Sequence, residues 1–201
     1  DSVVLPGRFV PIKTIDGKVE LLRDAPSLKN KSLVHFHLAT SETIARVILY
    51  GRNELKPGES CYCQFRLQEP VVSMSGERYI IRRFSPVDTI GGGEVLDPSP
   101  PKRKQKDIVE NLMIFEKGSL LEKISLKVQQ SGLYGISTMA IEGWIKAETP
   151  AIKDLIGELR EKGLIMNIED VLIHKTLFDV FREKVTQTLK DFHAKNPLKP
   201  G

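Results

Sequence analysis

The hydrophobic pattern of this chain changes its period in the stretch from Arg78 to Lys104. Before this stretch, apolar and polar residues alternate, which is typical of strands; after it, apolar residues recur every three or four positions, which is typical of helices. Three prolines within Asp97–Lys104 remove backbone donors and fix φ, so this segment predicts a stiff, extended linker. The 201 residues therefore predict two domains of different class rather than one.

The first half predicts a small antiparallel β domain. Residues Lys31–Gly51 predict two strands that meet around Thr40–Thr43, and Lys56–Glu59 is a turn signal. Two further strand-like segments follow, beginning near Cys61 and Arg78, with many β-branched and aromatic residues. Several short strands separated by turns favour a closed barrel, because closure removes exposed strand edges.

Two pairs of possible metal ligands lie on neighbouring predicted strands, His35 with His37 and Cys61 with Cys63. Structural zinc sites usually use the wider Cys-x-x-Cys spacing, so we expect no metal here. Two cysteines two positions apart on a strand share one face and are not expected to form a disulfide with each other. Free thiols suit a reducing compartment, and no apolar run approaches the ~20 residues of a membrane-spanning helix, so a cytoplasmic protein is expected.

The consecutive glycines Gly91, Gly92 and Gly93 do not predict a phosphate loop. No Gly-Lys-Ser/Thr motif follows them, and the nearby prolines prevent the helix that such a loop needs. We expect a strand in which another backbone approaches closely. Since no carboxylate pair or catalytic triad is apparent either, the chain is expected to be no enzyme and to need no cofactor of its own.

The second half has the order of elements of a winged helix. A helical segment is followed by a short helix that Ser137 can cap. A third helix has Thr149 at its cap, Pro150 at its first position and Gly163 as its terminator. A two-stranded hairpin around Glu169–Asp170 comes next. Apolar residues of the first helical segment fall on two faces: Ile108, Leu112 and Phe115, then Leu120, Leu121, Ile124 and Val128.

The surplus of positive over negative charge lies in the first half of the chain and the linker. Residues 1–105 contain 16 Lys and Arg against 12 Asp and Glu, whereas residues 106–201 contain 14 against 14. The third helix mixes both signs and the tip of the wing is acidic, so phosphate contact through the winged helix is disfavoured. A spacer or protein-contact role suits it better. Lys102, Arg103 and Lys104 are either a solubilising run or a contact to an RNA backbone.

The last segment, residues 176–201, predicts an amphipathic helix. Thr176 and Asp179 have the spacing of a capping box. Because its apolar stripe needs a partner, we expect the helix to lead into a further domain. The stripe consists of Phe178, Phe181, Val185, Leu189 and Phe192.

Several segments, taken in order, resemble one family of translation factors. RYIIRR followed by TIGGGEVLD is similar to the last hairpin of the third domain of translational GTPases of the elongation factor Tu class. LVHFHLATSETIARVILYG, LKPGES, FRLQEPVV and the closing FHAKNPLKPG are similar, with that hairpin, to the C-terminal part of bacterial selenocysteine-specific elongation factors. The resemblance implies a multidomain β plus α/β protein, with a Tu-like antiparallel barrel before a winged helix.

The same resemblance implies the domain boundaries and the activity. The barrel would occupy residues 1–97, a Pro-rich basic linker 98–105 and a winged-helix domain 106–175, and the helix from 176 would lead into a further winged helix. Such a factor delivers selenocysteinyl-tRNA to the ribosome at recoded UGA codons, under control of an mRNA hairpin bound by its C-terminal domains. GTP and magnesium would belong to a preceding domain. This chain is expected to act as a monomer, without a membrane and without hydrolysing GTP.

The resemblance also places a candidate tRNA contact in the turn after the Arg78–Arg83 strand. In the Tu class this turn meets the T-stem, which implies contacts from Arg82, Arg83, Phe84 and Ser85. The glycines Gly91, Gly92 and Gly93 on the return strand would let the RNA backbone approach closely. The turn is longer here than in the Tu pattern, and Arg83 stands in place of an acidic residue.

An alternative from another class is a transcription regulator with a DNA-binding winged helix and a barrel that senses a ligand. The acidic residues of the third helix and the wing tip count against it. An enzyme built on the barrel has no catalytic motif to support it.

Overall fold

The computed structural model describes residues 10–101 and 108–195. Lys102, Arg103 and Lys104 lie outside the described residues, so their RNA contact stays a prediction. The first range forms a β domain whose strands are β1 (Ile12–Leu21), β2 (Leu28–Lys29), β3 (Leu33–Leu38), β4 (Ser41–Leu49), β5 (Glu54–Leu55), β6 (Ser60–Val71), β7 (Arg78–Arg82) and β8 (Thr89–Asp97).

Six of these strands close into an antiparallel barrel in the order β1-β6-β4-β3-β7-β8, which confirms the predicted fold. Side chains alternate between the two faces of the wall, so that in β3 Phe36 points inward while His35 and His37 point outward. Inside, Phe36, Phe65 and Tyr79 pack as a cluster in which each pair of ring centroids is 4.9 Å apart. Each such pair contributes about 0.5–1.5 kcal/mol beyond its buried area.

Strand β1 was not predicted, although it pairs with both β6 and β8 and so completes the barrel. The pair Asp16-Gly17 interrupts its apolar pattern, and both residue types are depleted in strands. Gly17 is required by packing, because a Cβ there would lie 2.8 Å from the carbonyl oxygen of Glu94 on β8.

The three glycines of β8 are also explained by close backbone approach. A Cβ added at Gly91 would overlap the carbonyl oxygen of Glu20, and one at Gly93 would overlap that of Lys18. Both oxygens belong to β1, so the strand interpretation of these glycines agrees with the structure. The close approach that we expected RNA to make at this strand is made by the barrel's own backbone.

The second range has the element order of a winged helix. Helices α2 (Leu120–Gln130), α3 (Thr138–Trp144) and α4 (Thr149–Glu161) accompany a three-stranded sheet. Its strand order is β10 (Ile165–Ile168), β11 (Val171–His174) and β9 (Ile136–Ser137), and the short strand β9 was not predicted. The first predicted helical segment is two helices, because Ser119 and Glu122 form a capping box that starts α2. The elements are α1 (Ile108–Lys117), α2 (Leu120–Gln130), β9 (Ile136–Ser137), α3 (Thr138–Trp144), α4 (Thr149–Glu161), β10 (Ile165–Ile168), β11 (Val171–His174) and α5 (Lys175–Lys195).

Two of the predicted helix starts are wrong, whereas the predicted cap of α3 and the end of α4 are confirmed. Glu148, not Thr149, occupies the cap position of α4, and its side chain makes no capping hydrogen bond. Thr176 lies inside α5, which begins at Lys175 directly after β11. Ser137 caps α3 by accepting from the amide of Ala140, and Gly163 follows α4 with a φ of 67°.

Most of the apolar stripe of α5 is exposed, namely Phe181, Val185, Leu189 and Phe192, whereas Phe178 is half-buried; no residue of α5 is fully buried. In the described ranges no helix is both long and apolar enough to cross a membrane.

The two domains pack directly against each other. Leu96 of β8 is buried in the core of the winged helix, together with Phe115 and Trp144. The backbone amide of Ser75 donates to the carbonyl oxygen of Trp144 at 2.7 Å, which joins the domains by a short parallel bridge. At the edge of this interface, Glu116 of α1 accepts from the ammonium of Lys18 at 2.8 Å. The interface therefore combines buried apolar side chains with an ion pair at its edge.

A buried polar cluster lies where the barrel meets the linker. Asp97, whose side chain is 2% exposed, accepts from the ammonium of Lys127 at 2.7 Å and from the indole nitrogen of Trp144 at 2.8 Å. Lys127 also donates to the carbonyl oxygen of Ser99 at 2.8 Å. The start of the predicted linker is thus held inside the interface by the winged helix, and it does not separate the domains at this point.

Candidate functional site

The predicted tRNA-binding hairpin connects β7 to β8 on the outer wall of the barrel. The backbone amide of Arg83 donates to the carbonyl oxygen of Asp88 at 3.0 Å, and its guanidinium bonds the Asp88 carboxylate at 2.7 Å. Between them, Phe84 and Ser85 are exposed at the tip, where the Ser85-Pro86 peptide bond is cis. The pairing with Asp88 offsets much of the charge of Arg83.

Arg82, Phe84 and His35 lie together beside this hairpin. Arg82 is paired across the strands with His35 of β3. The ring of Phe84 packs on the His35 imidazole with 4.4 Å between centroids, yet 42% of Phe84 remains exposed. A partly exposed aromatic ring beside a cation is an arrangement that can stack on a nucleic-acid base and contact its phosphate. Of the predicted residues, Arg82 and Phe84 therefore lie together on one surface around His35.

The glycines of β8 do not share that surface in the way we expected. Their near space is filled by the backbones of β1 and β7, and Gly91 is buried. A direct contact of Gly91, Gly92 and Gly93 with RNA stays a prediction that the geometry of β8 does not favour.

The His and Cys pairs point to opposite faces of the barrel wall. His35 and His37 are on the outer face, where the Nδ1 atom of His35 lies 3.0 Å from a carboxylate oxygen of Glu42. Cys63 is fully buried in the core, and Cys61 packs against that core. The four side chains therefore do not converge on one point. Both cysteines are free, as predicted.

A second basic surface on the barrel was not predicted from the sequence. Arg46 of β4 and Arg66 of β6 stand directly opposite each other in the strand register, and both are exposed. Lys31, which is exposed at the start of β3, lies next to Arg46, whose guanidinium donates to the Lys31 carbonyl oxygen at 3.2 Å. Only the pairing of β4 with β6 brings these residues together, since 20 positions separate the two arginines.

From Arg66, a hydrogen-bonded chain runs along the same outer face of the barrel to the buried Asp16. The Nε of Arg66 donates to the Gln64 side chain at 3.1 Å, and Gln64 donates to the carboxylate of Asp16 at 3.0 Å. Asp16 also accepts from the hydroxyl of Tyr50 at 2.9 Å. Burial raises the pKa of Asp16 to about 6, and the neighbouring Asp97 carboxylate acts in the same direction. The two donated hydrogen bonds lower the pKa but do not offset the burial.

The chain is similar in sequence to selenocysteine-specific elongation factors. Residues 15–102 match the family model described as the β-barrel domain of selenocysteine-specific elongation factors. A selenocysteine-specific elongation factor of Desulfomicrobium baculatum is 24% identical over 201 residues, which cover 98% of this chain and 32% of that protein. One of Methanocaldococcus jannaschii is 28% identical over 137 residues, or 58% of this chain and 29% of that protein.

A solved structure shares the fold of almost the entire chain. The crystal structure of a bacterial selenocysteine-specific elongation factor superposes with a TM-score of 0.65, at 17% identity, over 96% of this chain and 28% of that one. The chain thus spans about a third of the length of its relatives. Taken with the barrel match and the two relatives, the chain is similar to selenocysteine-specific elongation factors, and residues 15–102 are similar to their β-barrel domain.

Proposed function

We propose that this chain is the tRNA-contacting middle segment of a cytoplasmic factor that delivers selenocysteinyl-tRNA to the ribosome at recoded UGA codons. In this proposal the barrel binds an arm of the tRNA, and the winged helix connects the barrel to the parts of the factor that recognise an mRNA hairpin. GTP binding and hydrolysis, with magnesium, belong to another domain of the factor. The relatives are named as selenocysteine-specific elongation factors, which supports this role.

The proposed tRNA contact is supported mainly by the surface of the β7–β8 hairpin. It places Arg82, which is opposite His35 in the strand register, beside the exposed Phe84 ring that packs on His35. Cations that address phosphate and sugar fix position and affinity, while an exposed ring offers stacking to an unpaired base. This hairpin is therefore suited to hold an RNA arm by its shape and charge.

The winged helix is less suited to bind phosphate. On α4 the ammonium of Lys162 is paired with Glu158, and the wing carries the exposed carboxylates of Glu169 and Asp170. We assign it a mechanical role, because its core includes Leu96 of the barrel and its Lys127 and Trp144 hold Asp97. Through these contacts it keeps a fixed orientation relative to the tRNA-binding surface.

Titration of selenocysteine tRNA against the full factor tests the hairpin. Arg82→Ala combined with Arg83→Ala should weaken binding by about tenfold or more, with a salt dependence shallower by about 1 for each lost phosphate contact. Arg82→Ala alone should account for most of this loss, because Asp88 already pairs Arg83.

The matched control is Lys153→Ala with Arg160→Ala, which removes two exposed cations from α4. It should leave affinity and salt dependence within about twofold of the parent, as expected for positions without phosphate contacts. Unchanged binding in the hairpin variant would place the tRNA elsewhere. A loss in the α4 variant would instead favour nucleic-acid recognition by the winged helix.

A further inference from the structure

We propose that Arg46, Arg66 and Lys31 form a second anion site on the barrel, which binds a phosphate group in the backbone of the RNA held by the β7–β8 hairpin. The proposal rests on the proposed function in that it assumes the same RNA. It adds a binding surface that lies on other strands of the barrel.

The strand register sets two permanent positive charges against each other. Arg46 and Arg66 are directly opposite on the antiparallel pair β4–β6, and each alternates with buried neighbours, so both side chains leave the same outer face. Directly opposite residues have Cβ atoms roughly 4.5–5.5 Å apart, and like charges at this distance destabilise a sheet. An anion bound between the two guanidinium groups would remove this repulsion.

The protein does not supply that anion itself. Among the described residues, neither Arg46 nor Arg66 forms an ion pair with a carboxylate. Each guanidinium is oriented by a neutral oxygen instead, that of the Lys31 backbone for Arg46 and that of the Gln64 side chain for Arg66. A guanidinium has five N–H donors, so most donors of both groups remain available to a ligand.

The turn before β3 adds a third cation. Lys31 adopts a φ of 69°, and its amide donates to the carbonyl oxygen of Val47 at 2.7 Å, so its backbone position beside Arg46 is fixed. An open cleft of about 470 Å³ adjoins it, lined by Lys29, Asn30, Lys31, Asn53 and Glu54. The exposed Lys31 therefore stands beside the arginine pair, next to an open cleft.

Phosphate is the ligand that this arrangement fits best. Planar guanidinium groups bind phosphate oxygens in a bidentate manner, and an ammonium adds a compact charge. The position of the site favours RNA over an acidic protein. Arg46 faces Leu33 and Arg82 faces His35 on the intervening strand β3, which places the two arginines roughly 12 Å apart from strand spacing and rise. One RNA arm can contact both at once.

The test compares Arg46→Gln combined with Arg66→Gln against Arg52→Gln in the full factor. Arg52 is an exposed arginine of the same barrel that is already paired with Glu59. The double variant should bind tRNA at least tenfold more weakly at low salt, with a salt slope shallower by roughly 1 to 2, and the control should stay within about twofold. The urea midpoint of the double variant should stay the same or rise, because the repulsion between Arg46 and Arg66 is removed.

Each other outcome overturns the proposal. Unchanged tRNA affinity in the double variant, while the hairpin variant is impaired, refutes this site alone. Unchanged affinity in both variants refutes the proposed function as well. A lowered urea midpoint would show that the arginines support the fold instead. Polyglutamate that binds through Arg46 and Arg66 as tightly as RNA does would identify an acidic protein as the partner.

Discussion

Replacing Lys127 with methionine should lower the urea concentration at which the interface between the barrel and the winged helix unfolds. Lys127 is buried and is the cation that faces Asp97, and its ammonium also lies 5.2 Å from the Trp144 ring centroid. Removing one partner of a buried ion pair typically costs about 3–5 kcal/mol, because the other charge stays buried without its partner.

The structure places this variant near the lower end of that range. Asp97 would keep two hydrogen-bond donors, the indole of Trp144 and the backbone amide of Ser99 at 3.0 Å. It would still face the carboxylate of Asp16 with no cation between them, so the remaining donors do not offset the whole loss. We expect Lys127→Met to lower the free energy of unfolding by about 3 kcal/mol, and Asp97→Asn in addition to recover at least half of it.

The fluorescence of Trp144 is a direct probe, because it is the only tryptophan of the chain and lies buried at the interface. Urea titrations at pH 7 would be compared with those of Lys123→Met, a lysine of the same helix that is only half-buried and should change stability by about 0.5 kcal/mol or less. A loss below about 1 kcal/mol for Lys127→Met would refute the reasoning, since buried pairs cost more. So would a double variant that is no more stable than the single one.

Two further predictions concern the barrel. The pKa of Asp16 is raised from 3.8 to about 6, so the folded chain binds this proton more tightly than the unfolded chain does. The free energy of unfolding should therefore fall by on the order of 3 kcal/mol as pH rises from about 4 through 6. Asp16→Asn should abolish this fall and be the more stable protein at pH 7, which urea midpoints across pH would measure; a parallel pH profile would contradict it. Gly93→Ala should lower the thermal midpoint strongly because its Cβ would overlap the Lys18 carbonyl oxygen, whereas Gly157→Ala, where α4 leaves open space, should stabilise the helix by about 0.5–1 kcal/mol. Equal midpoints for the two alanine variants would contradict the packing argument.

Elements with a clear local pattern of residues could be predicted from the sequence. Alternation in β3, β4 and β7 and the proline-glycine turn at residues 57–58 predicted most of the barrel, and caps such as Ser137 predicted helices of the second domain. Strand β1 was missed because its buried Asp16 and its Gly17 are explained only by neighbours that are distant in sequence. Their partners, Gln64 and Glu94, are 48 and 77 positions away.

The candidate site also has a part that could be predicted from local sequence and a part that could not. The β7–β8 hairpin is a local feature, since Arg82 to Ser85 are consecutive, and the family resemblance predicted its tRNA contact. The Arg46–Arg66 pair could not be predicted, because a shift of one residue in the register of β4 and β6 would separate the side chains onto opposite faces. The domain interface could not be predicted from the sequence either. Lys127 and Trp144 have the sequence context of ordinary helix residues, and only the structure shows that both bind Asp97.

Because the two domains pack against each other, a rotation of the barrel also moves helix α5. Helix α5 has 21 residues, so it extends about 30 Å from the winged helix at 1.5 Å per residue. With the interface locked around Asp97, a rotation of the barrel by about 10° would sweep the far end of α5 through at least about 5 Å, given that helix length. A small rotation of the barrel is thereby converted into a displacement large enough to make or break contacts at the distant end of the helix.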